Sequence, residues 1–251
     1  MQSTIFLVSH GSRDPRPQYT LEQLARELGE RLTVENGGDG TSSVVGAGVL
    51  ELAPIPLSEQ IRQFGEYSRS LGANQIQIFP LFLLPGVHVC EDIPAEVAIA
   101  QQSLGSALRL DVKPYLGTAS SQLAAFLKRQ MDAIAADAWI LLSHGSRYPG
   151  GNQPVEHLAA ELRAIPAYWS VPPDLESRVR ELVETGYGAI GIIPYFIFSG
   201  RTTDAIADWV AHLEKKFPNV RLHLTPPLDD TDSLGDLIWI LMQSSESVKT
   251  F

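Results

Sequence analysis

The sequence predicts an α/β protein of two similar lobes, each a parallel sheet of about four strands flanked by helices and related by internal duplication. Three observations predict it. Ile5-Phe-Leu-Val-Ser-His-Gly-Ser-Arg13 returns as Trp139-Ile-Leu-Leu-Ser-His-Gly-Ser-Arg147, and Ile76-Gln-Ile-Phe-Pro-Leu-Phe-Leu-Leu-Pro-Gly86 returns as Ile190-Gly-Ile-Ile-Pro-Tyr-Phe-Ile-Phe-Ser-Gly200. Between them, Pro54 to Ile61 is matched more weakly by Pro172 to Val179. Within each half, short apolar runs alternate with longer segments of helical period, the pattern of β-α units around a parallel sheet covered on both faces.

In chain order, the run Ile-Phe-Leu-Val makes Thr4–Ser9 the first strand, and Leu21, Leu24 and Leu28 at helical spacing make Gln18–Leu32 the first helix. Glu35-Asn-Gly-Gly-Asp-Gly40 reads as a flexible loop by composition. Strands are expected next at Ser43–Leu50, Gln75–Leu81 and Ala107–Val112, separated by helices at Pro56–Leu71 and Asp92–Leu104. A helix over Ser120–Ala135 leads into the second half. There, strands at Ala138–Ser143, Ala167–Ser170, Ala189–Tyr195 and Val220–Leu224 alternate with helices at Gln153–Ala164, Leu175–Thr185, Thr203–Lys216 and Ser233–Met242. No long linker separates the halves, so the repeat itself sets the boundary, with lobes at 1–117 and 118–251.

Composition narrows the function classes. Nineteen Lys and Arg against 29 Asp and Glu leave a net charge of −10, which opposes a general nucleic-acid or anionic-membrane role. A local basic pocket for an acidic ligand stays compatible with it. No apolar run approaches the ~20 residues of a membrane span, and the first residues lack a leader pattern, so a cytoplasmic protein is expected. Cys90 is the single cysteine, which excludes an intrachain disulfide, a thiolate zinc site and a Cys-ligated cluster on one chain. A metal must therefore be met by His, Asp or Glu.

Parallel sheets bind ligands beyond the carboxyl ends of their strands, where several loops converge. His10 follows the first strand directly, Glu51 follows the second apolar run, and His88 lies beyond the third, before the acidic helix start Glu91-Asp92-Ile93-Pro94. Two imidazoles and a carboxylate suit a transient divalent cation such as Fe²⁺ or Co²⁺. The second half keeps His144 for His10, but Trp169 aligns with Glu51, and Thr202, or Thr203 with a small gap, falls where His88 stands. The active site is therefore expected in the first lobe. The plainer alternatives are loop capping for His10, a surface loop for His88, and an ordinary ion pair for Glu51, Arg13 or Arg147. Cys90 reads as a small partly buried residue, and His157, His212 and His223 receive no role. Gly37–Gly40 lacks the Lys-Ser/Thr ending of a phosphate loop.

Taken together, Ser9-His10-Gly11-Ser12-Arg13-Asp14-Pro15, Val49-Leu50-Glu51-Leu52-Ala53-Pro54 and Pro80-Leu-Phe-Leu-Leu-Pro-Gly-Val-His88 resemble the class II tetrapyrrole chelatases. The order and spacing are most similar to the long, two-lobed CbiX/SirB sirohydrochlorin chelatases. That resemblance implies two chelatase-type, flavodoxin-like lobes and insertion of Fe²⁺ or Co²⁺ into sirohydrochlorin without ATP. It implies His10 and His88 as the catalytic, metal-handling pair, and Glu51 as an acidic position near the metal. The metal is a substrate, and no prosthetic group is implied. Metallation requires the macrocycle to lose two pyrrole protons while the cation exchanges water for ring nitrogens. Imidazole, with an unperturbed pKa of about 6.5, serves either task. Ser12 and Arg13 are expected to meet the carboxylates of the substrate. The absence of a His-rich tract or an iron-sulfur motif tilts the expectation towards iron, and two lobes in one chain are compatible with a monomer.

Two other classes compete. Ser9 to Pro15 is also similar to the Arg-His-Gly-x-Arg-x-Pro segment of histidine phosphatases, although Ser9 stands where their first Arg clamps phosphate. A non-catalytic tetrapyrrole or metal carrier would use the same ligands, and sequence does not separate it from a catalyst.

Overall fold

A computed structural model describes residues 4–35, 43–229 and 231–245. The Gly37–Gly40 segment lies outside the described residues. The elements are β1 (Thr4–Ser9), α1 (Pro15–Glu35), β2 (Val44–Val49), α2 (Leu57–Ser70), β3 (Gln75–Pro80), a π turn (His88–Asp92), α3 (Ile93–Leu104), β4 (Arg109–Val112) and α4 (Ser120–Asp132). The second series is β5 (Ala138–Ser143), α5 (Gln153–Glu161), β6 (Ile165–Tyr168), α6 (Leu175–Glu184), β7 (Ala189–Pro194), α7 (Arg201–Lys216), β8 (Arg221–Leu224) and α8 (Thr231–Ser245).

Two four-stranded parallel sheets result, ordered β2-β1-β3-β4 and β6-β5-β7-β8. Both have the same crossover pattern, as duplication requires. In the first sheet, Phe6, Val8, Ile76 and Ile78 pack against Leu57 and Ile61 of α2 and Ile93 and Val97 of α3. The alternate residues Ile5, Leu7 and Phe79 are buried too, so β1 and β3 are covered on both faces. The second sheet repeats this with Ile140, Leu142, Ile190 and Ile192 against Leu175, Val179, Ile206 and Val210. Each such side chain contributes about 1.5–3 kcal/mol by leaving water, so Ile78→Ala would cost about 2–5 kcal/mol.

Among the boundaries that differ from expectation, three have a clear local setting. α1 begins at Pro15 rather than Gln18. Buried Asp14 accepts the Arg16 N–H at 3.0 Å, and Pro15 and Pro17 sit in the first turn, where a missing N–H leaves no bond unmade. β6 begins at Ile165 rather than Ala167. It is an edge strand, where Pro166 is tolerated. The helical segment after β3 begins at His88, four residues before the expected start at Asp92.

By contacts, the chain divides into one unit that runs to Thr118 and resumes at Leu234, and another over Ala119–Ser233. The packing thus groups α8 with the first sheet rather than with the second repeat. The reason lies on α8 itself. Leu234, Leu237, Ile238 and Met242 form a buried stripe at helical spacing, and the Arg31 guanidinium of α1 lies 4.8 Å over the Trp239 ring. Among the described residues, no helix is long and apolar enough to cross a membrane.

Candidate metal-handling site

The first sheet reverses direction at β1: the chain passes from β1 to β2 on one side and returns as β3 on the other. A crevice opens beyond the carboxyl ends at such a point. His10, the residue after β1, stands there exposed. Gly11 then turns the chain with φ 101°, a left-handed conformation that favours glycine. A Cβ at Gly11 would lie 2.1 Å from the carbonyl oxygen of Glu51, so the absence of a side chain lets the two loops close on each other.

Backbone bonds continue the β1–β2 pairing past the strand ends. Leu50 N–H donates to Ser9 O and Glu51 N–H to His10 O, both at 2.9 Å. On the outer side of edge strand β2, the Gln60 side chain takes over the work of a neighbour. Its amide oxygen accepts the Val49 N–H at 3.0 Å, and its NH₂ donates to Val49 O at 2.9 Å and to Ile55 O at 3.0 Å. The loop that carries Glu51 is thereby held at both ends. Leu52, next along, has φ 63°, a conformation unusual for a branched residue and common near functional sites.

His88 arrives from the π turn after β3. Its ring centroid lies 4.7 Å from that of His10, with the rings at 86°. Phe82 flanks both, at 6.4 Å from His10 and 6.3 Å from His88. One ligand atom each from His10, Glu51 and His88 falls within 4.8 Å of the others, the one set of three or more such groups among the described residues. His10 and Glu51 are exposed and His88 is partly covered, so the group faces an opening. His10 Nδ1 lies 3.2 Å from Gly11 O, and His88 Nδ1 lies 2.7 Å from an Asp92 carboxylate oxygen. Both partners are acceptors, so a neutral ring carries its proton on Nδ1 and keeps the Nε2 lone pair for a cation.

The structure therefore brings together the three residues that the sequence singled out. Ser12 and Arg13 stand exposed beside them, although the Ser12 hydroxyl also accepts the Asp14 N–H at 3.0 Å. Sequence reasoning missed Phe82, Gln60 and Asp92. Asp92 was legible in principle, since it lies four residues after His88 on one helical segment. A separate groove of about 610 Å³ over β2, lined by Arg26, Val34, Val44, Tyr67 and Leu71 among others, shares no residue with the triad.

The second sheet corrects one alignment. Trp169 N–H donates to Ser143 O and Ser170 N–H to His144 O, again at 2.9 Å. Ser170, not Trp169, thus occupies the place of Glu51, and Trp169 takes that of Leu50, packed against Trp209 at 5.6 Å. The phosphatase alternative has no cation at Ser9, which is buried at the end of β1.

The family model described as CbiX matches residues 4–133 and 138–244, one stretch for each sheet. The chain belongs to the CbiX family. It is 25% identical to the sirohydrochlorin ferrochelatase of Bacillus subtilis (strain 168) over 234 residues, covering 88% of this chain and 84% of that protein. It is 32% identical to the sirohydrochlorin cobaltochelatase of Methanopyrus kandleri over 93 residues, 36% of this chain and 54% of that protein. Its fold matches the structure of SirB from Bacillus subtilis with Fe³⁺ at a TM-score of 0.71 and 22% identity, covering 99% of this chain and 98% of the other. The two-sheet architecture is thus that of the SirB structure over nearly its full length.

Proposed function

We propose that the chain inserts Fe²⁺ or Co²⁺ into sirohydrochlorin without ATP, and that the site is the His10, Glu51 and His88 group in the first repeat. The observation that carries this reading is the convergence of three ligand atoms within 4.8 Å at an exposed strand-end crevice. The names of the CbiX relatives supply the substrate class.

Metal and macrocycle are both substrates, so the protein's own work is to hold, strip and exchange. His10 and His88 each present an Nε2 lone pair that takes the cation from water and then accepts a pyrrole proton as the ring nitrogens replace it. Glu51 attracts the cation and relays protons to solvent, to which its exposed side chain is open. Phe82, beside both imidazoles, keeps the wall of the crevice apolar. Arg13 and the Ser12 hydroxyl meet substrate carboxylates, and the Arg13→Ala variant should raise the KM for sirohydrochlorin. The 1–117 repeat carries the chemistry, whereas 118–251 is a degenerate copy with Ser170 and Thr202 in the places of Glu51 and His88. The reading includes a monomer with no nucleic-acid or membrane partner, in keeping with the net charge of −10.

Single-turnover optical spectroscopy with sirohydrochlorin and Fe²⁺ or Co²⁺ tests it. Wild type should metallate at least about 100-fold faster than His10→Ala or His88→Ala. Equal rates would remove the site, and binding without acceleration would make the protein a carrier.

A further inference from the structure

The helical segment after β3 is one residue longer than its counterpart after β7. Pro80 and Pro194 hold the same register, opposite Val8 and Leu142. Gly86 and Gly200 also correspond: each accepts the first four-residue helical bond, from Cys90 N–H and Asp204 N–H, both at 2.9 Å. Downstream, the buried positions Ile93, Val97, Ala100 and Leu104 repeat with identical spacing in the buried Ile206, Val210 and Leu213 and the partly buried Phe217. Ile93, however, is the seventh residue after Gly86, and Ile206 is the sixth after Gly200.

The extra residue is taken up in the π turn His88–Asp92, and Ile93 N–H bonds back to His88 O. Such a turn is a one-residue insertion into an α-helix and interrupts its regular bonding. In this protein it coincides with a hydrogen bond across the same turn, His88 Nδ1 to Asp92 Oδ2 at 2.7 Å. In the second repeat the whole device is missing. Thr202 stands in the His88 register and Ala205 in the Asp92 register, on a helix without the insertion.

We propose that Asp92 is a positioning residue, which locks His88 in its Nδ1–H tautomer and in one ring orientation, and that the π insertion supplies the backbone geometry for this. An ionised carboxylate only accepts, so the ring proton is drawn to Nδ1 and Nε2 is left with its lone pair. A carboxylate behind a metal-binding imidazole also removes its rotational freedom. Without Asp92, the ring at the site mouth is free to turn and to protonate on Nε2, which blocks the nitrogen that meets the cation. The role of His88 towards metal rests on the proposed chelatase reading, whereas its tautomer is a property of the metal-free chain.

The test compares Asp92→Leu, which removes the acceptor, with Asp92→Asn, which keeps an acceptor oxygen without the charge. Long-range proton–nitrogen spectra of the ¹⁵N-histidine-labelled, metal-free protein at pH 8, with the His88 signal assigned by its loss in His88→Gln, report the tautomer directly. The wild type should show Nδ1–H at His88, and Asp92→Leu should shift the ring towards Nε2–H. In metallation assays, Asp92→Leu should lower kcat/KM for Co²⁺ by about 10–100-fold with an unchanged KM for sirohydrochlorin, and Asp92→Asn should stay within about threefold of wild type. An Nε2–H ring in the wild type, a tautomer indifferent to Asp92→Leu, or Asp92→Leu metallating as fast as wild type would overturn the assignment. If the wild type itself does not metallate sirohydrochlorin, the chelatase reading falls and the tautomer comparison still decides Asp92.

Discussion

The backbone N–H of Glu51 donates to the carbonyl of His10 over 2.9 Å, which ties the second strand-end loop to the first where their side chains lie within 4.8 Å. Because that bond is made by the main chain, Glu51→Gln removes the charge and leaves the tie. The variant should melt within about 0.5 kcal/mol of wild type, as exposed substitutions do, and should metallate about 100-fold more slowly. Thermal melts beside single-turnover rates check both halves. Full activity would take Glu51 out of the mechanism.

Gly11→Ala should be far more damaging than its size suggests. The added Cβ would sit 2.1 Å from Glu51 O, and φ 101° is strained for any side chain. A stability loss of at least about 2 kcal/mol is expected in a denaturant titration, with loss of activity as the loops part.

Rebuilding the triad in the second repeat by side chains alone should fail. The double variant Ser170→Glu, Thr202→His places the right groups beside His144 in register, yet α7 lacks the one-residue insertion that delivers His88. Cobalt titration should therefore give the same number of bound ions per chain as wild type. One additional tight site would show that the insertion is dispensable.

At the start of α6, Asp174 accepts the Ser177 N–H at 2.8 Å, and that backbone bond first, then the Ser177 side chain, holds its carboxyl below the usual carboxylate range. A depressed carboxylate stabilises the fold above its unfolded pKa of about 3.9 and ceases to do so as pH falls through the folded value. Asp174→Ala should cost about 1 kcal/mol at pH 7, as loss of a helix cap does, and the gap from wild type should narrow below about pH 4. Melting temperatures at pH 7 and pH 3 check the sign.

Much of this was legible in the chain because the signals are local. The apolar runs Thr4–Ser9 and Ala138–Ser143 are strands at the expected bounds, and His10, Glu51 and His88 stand at the strand-end crevice. The errors fall where a frame of one residue matters. The match of Pro54 with Pro172 sets Trp169 against Glu51, whereas strand pairing moves the frame by one to Ser170. The helix start was expected at Asp92 because Glu91 and Asp92 read as a first acidic turn, whereas the turn had already begun at His88.

By itself the sequence determined the duplication, the parallel β-α architecture and the three residue types that reach one strand-end edge. Those follow from spacing along the chain, since a buried strand or an amphipathic helix is specified by its own apolar period. The tertiary structure alone decided that α8 packs with the first sheet, that Gln60 braces the Glu51 loop, and that Asp92 closes on the back of His88. Each of these depends on pairing register or on a single inserted residue, and a shift of one position there leaves composition and period unchanged while it moves a side chain to a different neighbour.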